Sequence, residues 1–99
     1  MYCIIWKYDV DSSNQSEFEK EYGRQGSWFK FFEPCDDYLG HDLLKNTDGA
    51  SYTLIDRWMS KADYDSFLKS NQLEYDQLND KFKSLYSNED CIGTYDLIQ

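Results

Sequence analysis

Hydrophobic and polar positions along the chain follow two periodicities, one typical of β-strands and one typical of α-helices. Runs rich in β-branched and aromatic residues predict four strands, over residues 2–8, 38–45, 51–59 and 91–98. Between the second and third runs, the dipeptide Asp48-Gly49 is a signal for a tight turn. These two strands are therefore expected to form a hairpin.

Two helical regions are predicted between the strands. In the first, Asn14 is expected to cap a helix whose apolar face carries Phe18 and Tyr22, four residues apart. The helical pattern weakens at two glycines and resumes over residues 27–32. Pro34 is expected to end this region, because proline cannot continue a helix.

The second helical region is expected to begin at Ser60, which forms a capping-box-like start with Asp63. Its apolar residues recur at spacings of three and four: Tyr64, Phe67 and Leu68, then Tyr75, Leu78, Phe82 and Leu85. The resulting order of elements is β-α-β-β-α-β. Its simplest arrangement is an α+β, ferredoxin-like domain over residues 1–99, with a four-stranded antiparallel sheet and the helices on one face.

The strands lack the clean alternation expected of a sheet that exposes one face to water. The first strand places Ile4 and Trp6 on one side, and Cys3 and Ile5 on the other. The third strand is apolar on both sides in the same way. Because helices cover only one face of such a sheet, the other face presents an apolar patch that needs a partner. The pattern predicts a homodimer, packed sheet to sheet about a two-fold axis.

Asp56 and Arg57 stand side by side in the third strand, which is otherwise mostly apolar. Successive side chains on a strand point to opposite faces, so these two charges are not expected to pair with each other. In a structural interpretation, Asp56 meets a tyrosine hydroxyl or a lysine, and Arg57 bridges to an acidic group across the dimer. In a functional interpretation, one of the two residues lines a small-molecule cavity and binds the ligand.

The composition restricts the partners. The net charge of the 99 residues is −9 and no run of Lys or Arg occurs, which disfavours nucleic acid and anionic membranes. Lys7 and Asp9 interrupt the apolar N-terminal stretch, so neither a signal peptide nor a membrane span is expected. Cys3, Cys35 and Cys91 are widely spaced and odd in number, which is typical of reduced thiols in a cytoplasmic protein.

Four phrases of the sequence together resemble the antibiotic-biosynthesis-monooxygenase-like family of dimeric α+β barrel proteins: EYGRQGSWFKFF, YLGHDLL, YTLIDRWMSKADYDSF and IGTYDL. The resemblance covers nearly the whole chain, and its most distinctive part is the strand ending in Trp-x-Ser before an aromatic-bearing helix. It implies a homodimer whose two sheets form a barrel, with a ligand cleft in each subunit. Some members oxidise polycyclic phenols with molecular oxygen and without metal or flavin, others break down haem, and many have no assigned activity.

Carried over residue by residue, the resemblance implies that Trp58 lines the cleft, since several catalytic members place a tryptophan here in the third strand. The haem-degrading members supply an axial histidine from a helix, whereas the only histidine of this chain, His41, lies on a predicted strand. This departure counts against haem ligation, and no cofactor is expected. One histidine and three scattered cysteines also argue against a zinc site.

His41 is the one side chain that titrates near neutrality when unperturbed, and as a base it would deprotonate a phenol. The alternation predicts that it shares a strand face with Leu39 and Leu43. A lone histidine on an apolar face is more often a structural residue than a catalytic one. A base also needs a geometry that the sequence does not reveal.

Three aromatic residues are candidates for binding a flat ligand. Trp58 and Tyr52 would stack on an aromatic ring, and Trp28, in the crowded aromatic end of the first helical region, would wall a cavity. Core packing is the commoner role for residues of these types.

Two functions follow from these observations. The first is a cofactor-independent monooxygenase for a small aromatic or quinone-like molecule, with His41 as base, Asp56 as a hydrogen-bonding orienter, and Trp58 and Tyr52 as stacking walls. The second is a non-catalytic homodimeric module that binds a small ligand or a protein. A solvent-connected pocket with His41 or Asp56 at its wall would favour the enzyme, and an interior filled with side chains would favour the module.

Overall fold

The computed structural model describes residues 1–98. Its strands are β1 (Tyr2–Asp9), β2 (Tyr38–Lys45), β3 (Ser51–Trp58) and β4 (Asn88–Asp96). Its helices are α1 (Gln15–Tyr22), α2 (Ser27–Phe32), α3 (Lys61–Ser70) and α4 (Gln72–Phe82), with short 3-10 turns at Ser12–Asn14 and Lys83–Leu85. The predicted β-α-β-β-α-β order is confirmed, with each helical region divided into two helices.

The four strands form one antiparallel sheet in the order β2-β3-β1-β4. Every second residue of β3, at Tyr52, Leu54, Asp56 and Trp58, is buried because these side chains face the helices. The α+β, ferredoxin-like fold class predicted from the sequence is therefore confirmed. No helix within residues 1–98 is long and apolar enough to cross a membrane.

Helix starts follow the local chemistry of their first residues. The Ser60 hydroxyl accepts a hydrogen bond from the Asp63 backbone N–H at 3.1 Å and donates to the Asp63 carboxylate at 2.8 Å, so the predicted start of α3 is confirmed. Asn14 holds the cap position of α1, but its side chain makes no capping bond. Its backbone, with φ of −106° and ψ of −6°, belongs to the preceding 3-10 turn rather than to the extended conformation of a capping residue.

The Ser60 cap allows a direct test of how α3 is held. Ser60→Ala should lower the free energy of unfolding by about 1 kcal/mol, because the first turn loses the acceptor for one backbone N–H. Ser66→Ala, at an exposed position inside α3, should change it by less than about 0.5 kcal/mol. Urea unfolding measures both variants, and an equal effect of the two substitutions would contradict the assignment of Ser60 as the cap.

A β-bulge in β2 changes the alternation that the sequence predicts. Leu39 is an extra residue with no partner on β3, and Gly40 adopts φ of +100°, a conformation that glycine tolerates. Beyond the bulge, His41 lies opposite Asp56, whereas Leu39 is 40% exposed. The prediction that His41 and Leu39 share a strand face is wrong, because the bulge shifts the register by one residue.

Candidate functional site

A small cavity lies between the helices and the sheet. The sheet contributes Trp6, Tyr8, Leu54 and Asp56 to its wall, and the helices contribute aromatic residues that include Tyr22, Trp28, Phe32 and Tyr64. The volume of this cavity is about 30 Å³. Since one water molecule needs roughly 10–15 Å³ of such a cavity, the cavity has room for about two waters. The interior is therefore well packed, with a pocket that is small and lined mainly by rings.

Asp56 places a buried carboxyl in this aromatic wall. Burial raises the pKa of the Asp56 carboxyl to about 7, and a hydrogen bond from the Trp6 indole and the Arg57 charge lower it in part. The structural interpretation expected a tyrosine hydroxyl or a lysine as its partner, but the group that lowers its pKa by hydrogen bonding is the Trp6 indole. A carboxyl with a pKa near neutrality accepts and releases protons readily at physiological pH.

His41 lies outside the wall of this cavity and is held by structural partners. Its Nε2 lies 3.1 Å from the carbonyl oxygen of Tyr22 and 3.0 Å from that of Gly23. Because a carbonyl only accepts, Nε2 carries the proton, and Nδ1 accepts from the Tyr38 hydroxyl at 2.6 Å. Nε2 thus joins β2 to the end of α1, and Nδ1 bonds within β2. The role of His41 as a base stays a prediction that this arrangement does not favour.

These bonds predict a structural effect for His41. His41→Ala should lower the free energy of unfolding by about 1–3 kcal/mol, since two carbonyl oxygens and the Tyr38 hydroxyl lose their partner. Tyr38→Phe removes only the bond to Nδ1 and should cost less. Urea unfolding of the two variants measures the difference, and unchanged stability of His41→Ala would contradict the structural role.

The structure separates the three aromatic candidates. Trp28 lines the cavity. Trp58 is 0% exposed and lies behind the wall, where its ring packs edge-on against Phe32 and Tyr64. Tyr52 lies at the other end of β3, and its hydroxyl donates to Glu19 beside a surface groove. Only Trp28 and Asp56, of the six predicted site residues, come together in the wall of the cavity.

The chain is similar in structure to proteins of related architecture. A crystal structure of a mutant of SnoaB, a cofactor-independent oxygenase from Streptomyces nogalater, matches 99% of this chain over 93% of its own, with a TM-score of 0.79 and 20% identity. A monooxygenase from the gene ActVA-Orf6 of Streptomyces coelicolor, in complex with Nanaomycin D, matches 99% of this chain over 88% of its own, with a TM-score of 0.80 and 14% identity. A candidate antibiotic biosynthesis monooxygenase from Deinococcus radiodurans matches 100% of this chain over 94% of its own, with a TM-score of 0.76 and 10% identity.

The chain has the fold of the antibiotic biosynthesis monooxygenases. The predicted resemblance is thereby confirmed at the level of the fold. No protein-family model and no curated protein matches the sequence.

Within this antibiotic biosynthesis monooxygenase fold, Arg57 lies on the sheet face that the helices leave open. Its guanidinium donates to the Asp42 carboxylate at 2.6 Å. The expected acidic partner therefore lies in the same chain, on the neighbouring strand, rather than across a dimer. Arg57 and Asp56 diverge from each other, as the alternation of the strand predicts.

The sequence did not predict that Trp6 and Tyr22 line the cavity. Trp6 shares its face of β1 with Ile4 and Tyr8, so its alternation indicated only a core residue. Its place beside Asp56 depends on the pairing of β1 with β3, which sets Ile4 opposite Asp56. The helical periodicity placed Tyr22 on an apolar face, which indicated only a core residue.

Among residues 1–98, no three His, Cys, Asp or Glu side chains come together as a metal site requires.

Proposed function

We propose that this protein is a cofactor-independent monooxygenase that oxidises a small phenolic or quinone-like aromatic molecule in the cavity, with Asp56 as the base. The observation that carries the proposal is a buried carboxyl, with its pKa raised to about 7, in the wall of an aromatic pocket. The place of Asp56 in the wall supports the enzyme, whereas the closely packed interior is the outcome expected of a binding module. The fold it shares with SnoaB, described as a cofactor-independent oxygenase, supports the same reaction class.

The chemistry needs only dioxygen besides the substrate. The Asp56 carboxylate takes the phenolic proton, and the resulting anion transfers one electron to dioxygen. The substrate radical and superoxide then combine at a ring carbon that carries hydrogen, and a proton completes the hydroperoxide. Loss of water leaves a carbonyl, so one CH₂ group and one O₂ become one C=O and one H₂O. Asp56 contributes as a general base, which typically accelerates proton transfer about 10²–10⁴-fold.

Ligand entry requires the helical side of the cavity to move. An engineered cavity that binds benzene measures about 150 Å³, well above the space present here. The helix α3, which carries Tyr64 of the wall, has no buried residue, so it is the least firmly packed part of the enclosure. We propose that α3 and α4 move outward when an aromatic ligand enters.

Oxygen uptake with anthrone, which has a CH₂ group and forms a phenolic tautomer, tests the reaction. Asp56→Asn should lower turnover at least about 100-fold, because the amide does not accept the proton. Asp42→Asn, which removes an exposed carboxylate on the open face of the sheet, should retain turnover. Equal turnover of Asp56→Asn and the wild-type protein would show that Asp56 is not the base, and no uptake by the wild-type protein would favour the binding module.

We also propose that two copies of the chain pack sheet to sheet. The open face exposes Leu44 by 50%, Met59 by 55% and Tyr95 by 47%, around the half-buried Ile5 and Ile55. Apolar side chains gathered on one face are typical of an interface. The Arg57–Asp42 ion pair lies on this same face.

Light scattering at micromolar concentration should give twice the chain mass of 11.8 kDa. Ile55→Asp, at the centre of the open face, should give the single chain mass, because it places a charge in the interface. Leu73→Asp, at an apolar residue of α4 that is 72% exposed, should leave the dimer intact. A well-folded wild-type monomer would contradict the proposed assembly.

A further inference from the structure

Two buried donors in the cavity wall have no acceptor among the described residues. The Tyr22 hydroxyl and the Trp28 indole N–H are buried, on side chains that are 2% and 8% exposed, and neither makes a hydrogen bond to a protein atom. Both residues line the cavity. A buried donor without an acceptor is unfavourable, so such groups are uncommon unless a site uses them.

Their neighbours hold both side chains in fixed positions. The Tyr22 ring stacks on Phe18 with centroids 4.3 Å apart, and the Trp28 ring stacks on Phe32 at 5.9 Å. The backbone carbonyl of Tyr22 accepts from His41, which anchors the end of α1 to β2. The two donors are thus placed before any ligand arrives.

The Tyr22 hydroxyl stays neutral at physiological pH. Burial raises the pKa of this hydroxyl, so it keeps its proton and is able to donate a hydrogen bond to an acceptor in the cavity.

We propose that the Tyr22 hydroxyl donates a hydrogen bond to a carbonyl or phenolate oxygen of the molecule that occupies the cavity, with the Trp28 indole N–H as a second donor in the same wall. The inference rests on the proposed function, since it takes the same cavity as the ligand site. Asp56 stands on the sheet side of this cavity, and Tyr22 stands on the helix side. When Asp56 removes a proton from the ligand, negative charge spreads to a conjugated oxygen, and a donor already in place stabilises that charge.

Trp58 shows why burial alone is not sufficient for this assignment. Its indole N–H also has no acceptor in the described part of the chain, and its side chain is 0% exposed. Its ring, however, lies behind the wall against Phe32 and Phe67, away from the ligand space. Within residues 1–98, Tyr22 and Trp28 each combine a buried donor that lacks an acceptor with a place in the wall.

The first test needs no ligand. Tyr22→Phe removes a hydroxyl that has no protein partner, so its melting temperature should equal or exceed that of the wild-type protein. Tyr8→Phe removes a hydroxyl that donates to Glu89 at 2.7 Å, and its melting temperature should fall. A fall for Tyr22→Phe as large as that for Tyr8→Phe would show that the Tyr22 hydroxyl serves the fold, and it would overturn the inference.

The second test compares 1-indanone with indane, two probes that differ by one carbonyl oxygen, in titrations followed by the NMR signals of the indole N–H groups. Tyr22→Phe should weaken the binding of 1-indanone about tenfold and leave that of indane unchanged. Tyr2→Phe, at a buried tyrosine outside the cavity wall, should leave both affinities unchanged. Equal losses for the two probes, or no binding of 1-indanone to the wild-type protein, would overturn the inference.

The two proposals fail in different experiments. The ketone titration involves no proton transfer and no oxygen, so it reports on the donor site alone. Oxidation of anthrone that depends on Asp56, together with a ketone affinity that does not depend on Tyr22, would leave the proposed function standing and remove the donor site. A ketone affinity that depends on Tyr22, without any oxidation, would establish the donor site in a binding module.

Discussion

Asp56→Asn should stabilise the protein at pH 8 by about 4 kcal/mol and leave its stability at pH 4 nearly unchanged. The physical reason is the rise in the pKa of the buried carboxyl to about 7 in the folded protein, against about 3.9 in an unfolded chain. At a pH between these two pKa values, the Asp56 carboxyl is protonated in the folded state and ionised in the unfolded state. The stability of the wild-type protein therefore falls as the pH rises from about 4 to about 7, and stays low above it.

Asparagine is neutral over this whole range and keeps the shape of the side chain, so the variant lacks this dependence on pH. Urea unfolding of the wild-type protein and of Asp56→Asn, at the same protein concentration and at several pH values between 4 and 8, gives the difference in their free energies of unfolding. Asp42→Asn removes an exposed carboxylate from the neighbouring strand and should give a difference that is small at every pH. A difference between Asp56→Asn and wild type that does not change with pH would contradict the account of Asp56.

Trp58→Ala should lower the free energy of unfolding by about 3–5 kcal/mol, the range found for large-to-small substitutions of buried aromatic residues. The Trp58 side chain is 0% exposed, and its ring centroid lies 5.2 Å from that of Tyr38 and 5.4 Å from that of Tyr64. Removal of the indole leaves a cavity at the junction of β3, α2 and α3. Because the indole N–H has no acceptor within residues 1–98, the loss comes from packing.

Thermal and urea unfolding measure this loss. Trp58→Phe keeps part of the volume and should give an intermediate value even if Trp58→Ala does not fold. Leu73→Ala, at a residue that is 72% exposed, should change the stability by less than about 0.5 kcal/mol. A loss below about 1 kcal/mol for Trp58→Ala would show that the residue does not hold the core together.

The sequence predicts the strands best where apolar residues mark them. The second strand was predicted over 38–45, which agrees with β2. The fourth was expected at Cys91, whereas β4 begins at Asn88, because the polar residues 88–90 pair with β1 through backbone hydrogen bonds that no hydrophobic pattern reveals. Local chemistry also predicted the start of α3, since the Ser60 cap depends only on residues within one turn.

The candidate site was harder to predict, because it depends on long-range pairing. The alternation along β3 correctly separated Asp56 from Arg57, but it did not give the neighbours of either. Trp6 lies 50 positions before Asp56 in the numbering and reaches it only through the pairing of β1 with β3. The bulge at Leu39 gave His41 a set of partners that a regular strand would not have. The distinction between core and cavity wall, as between Trp58 and Trp28, requires the packed structure.

Carbon-13 NMR titration of the Asp56 carboxyl tests the central claim most directly. The claim is that the fold buries this one carboxyl in an aromatic pocket and so prepares it to exchange a proton near neutral pH. Asp56→Asn identifies the carboxyl signal by its disappearance. The account predicts a midpoint near pH 7 for this signal, and a midpoint near the ordinary value of about 4 would contradict it.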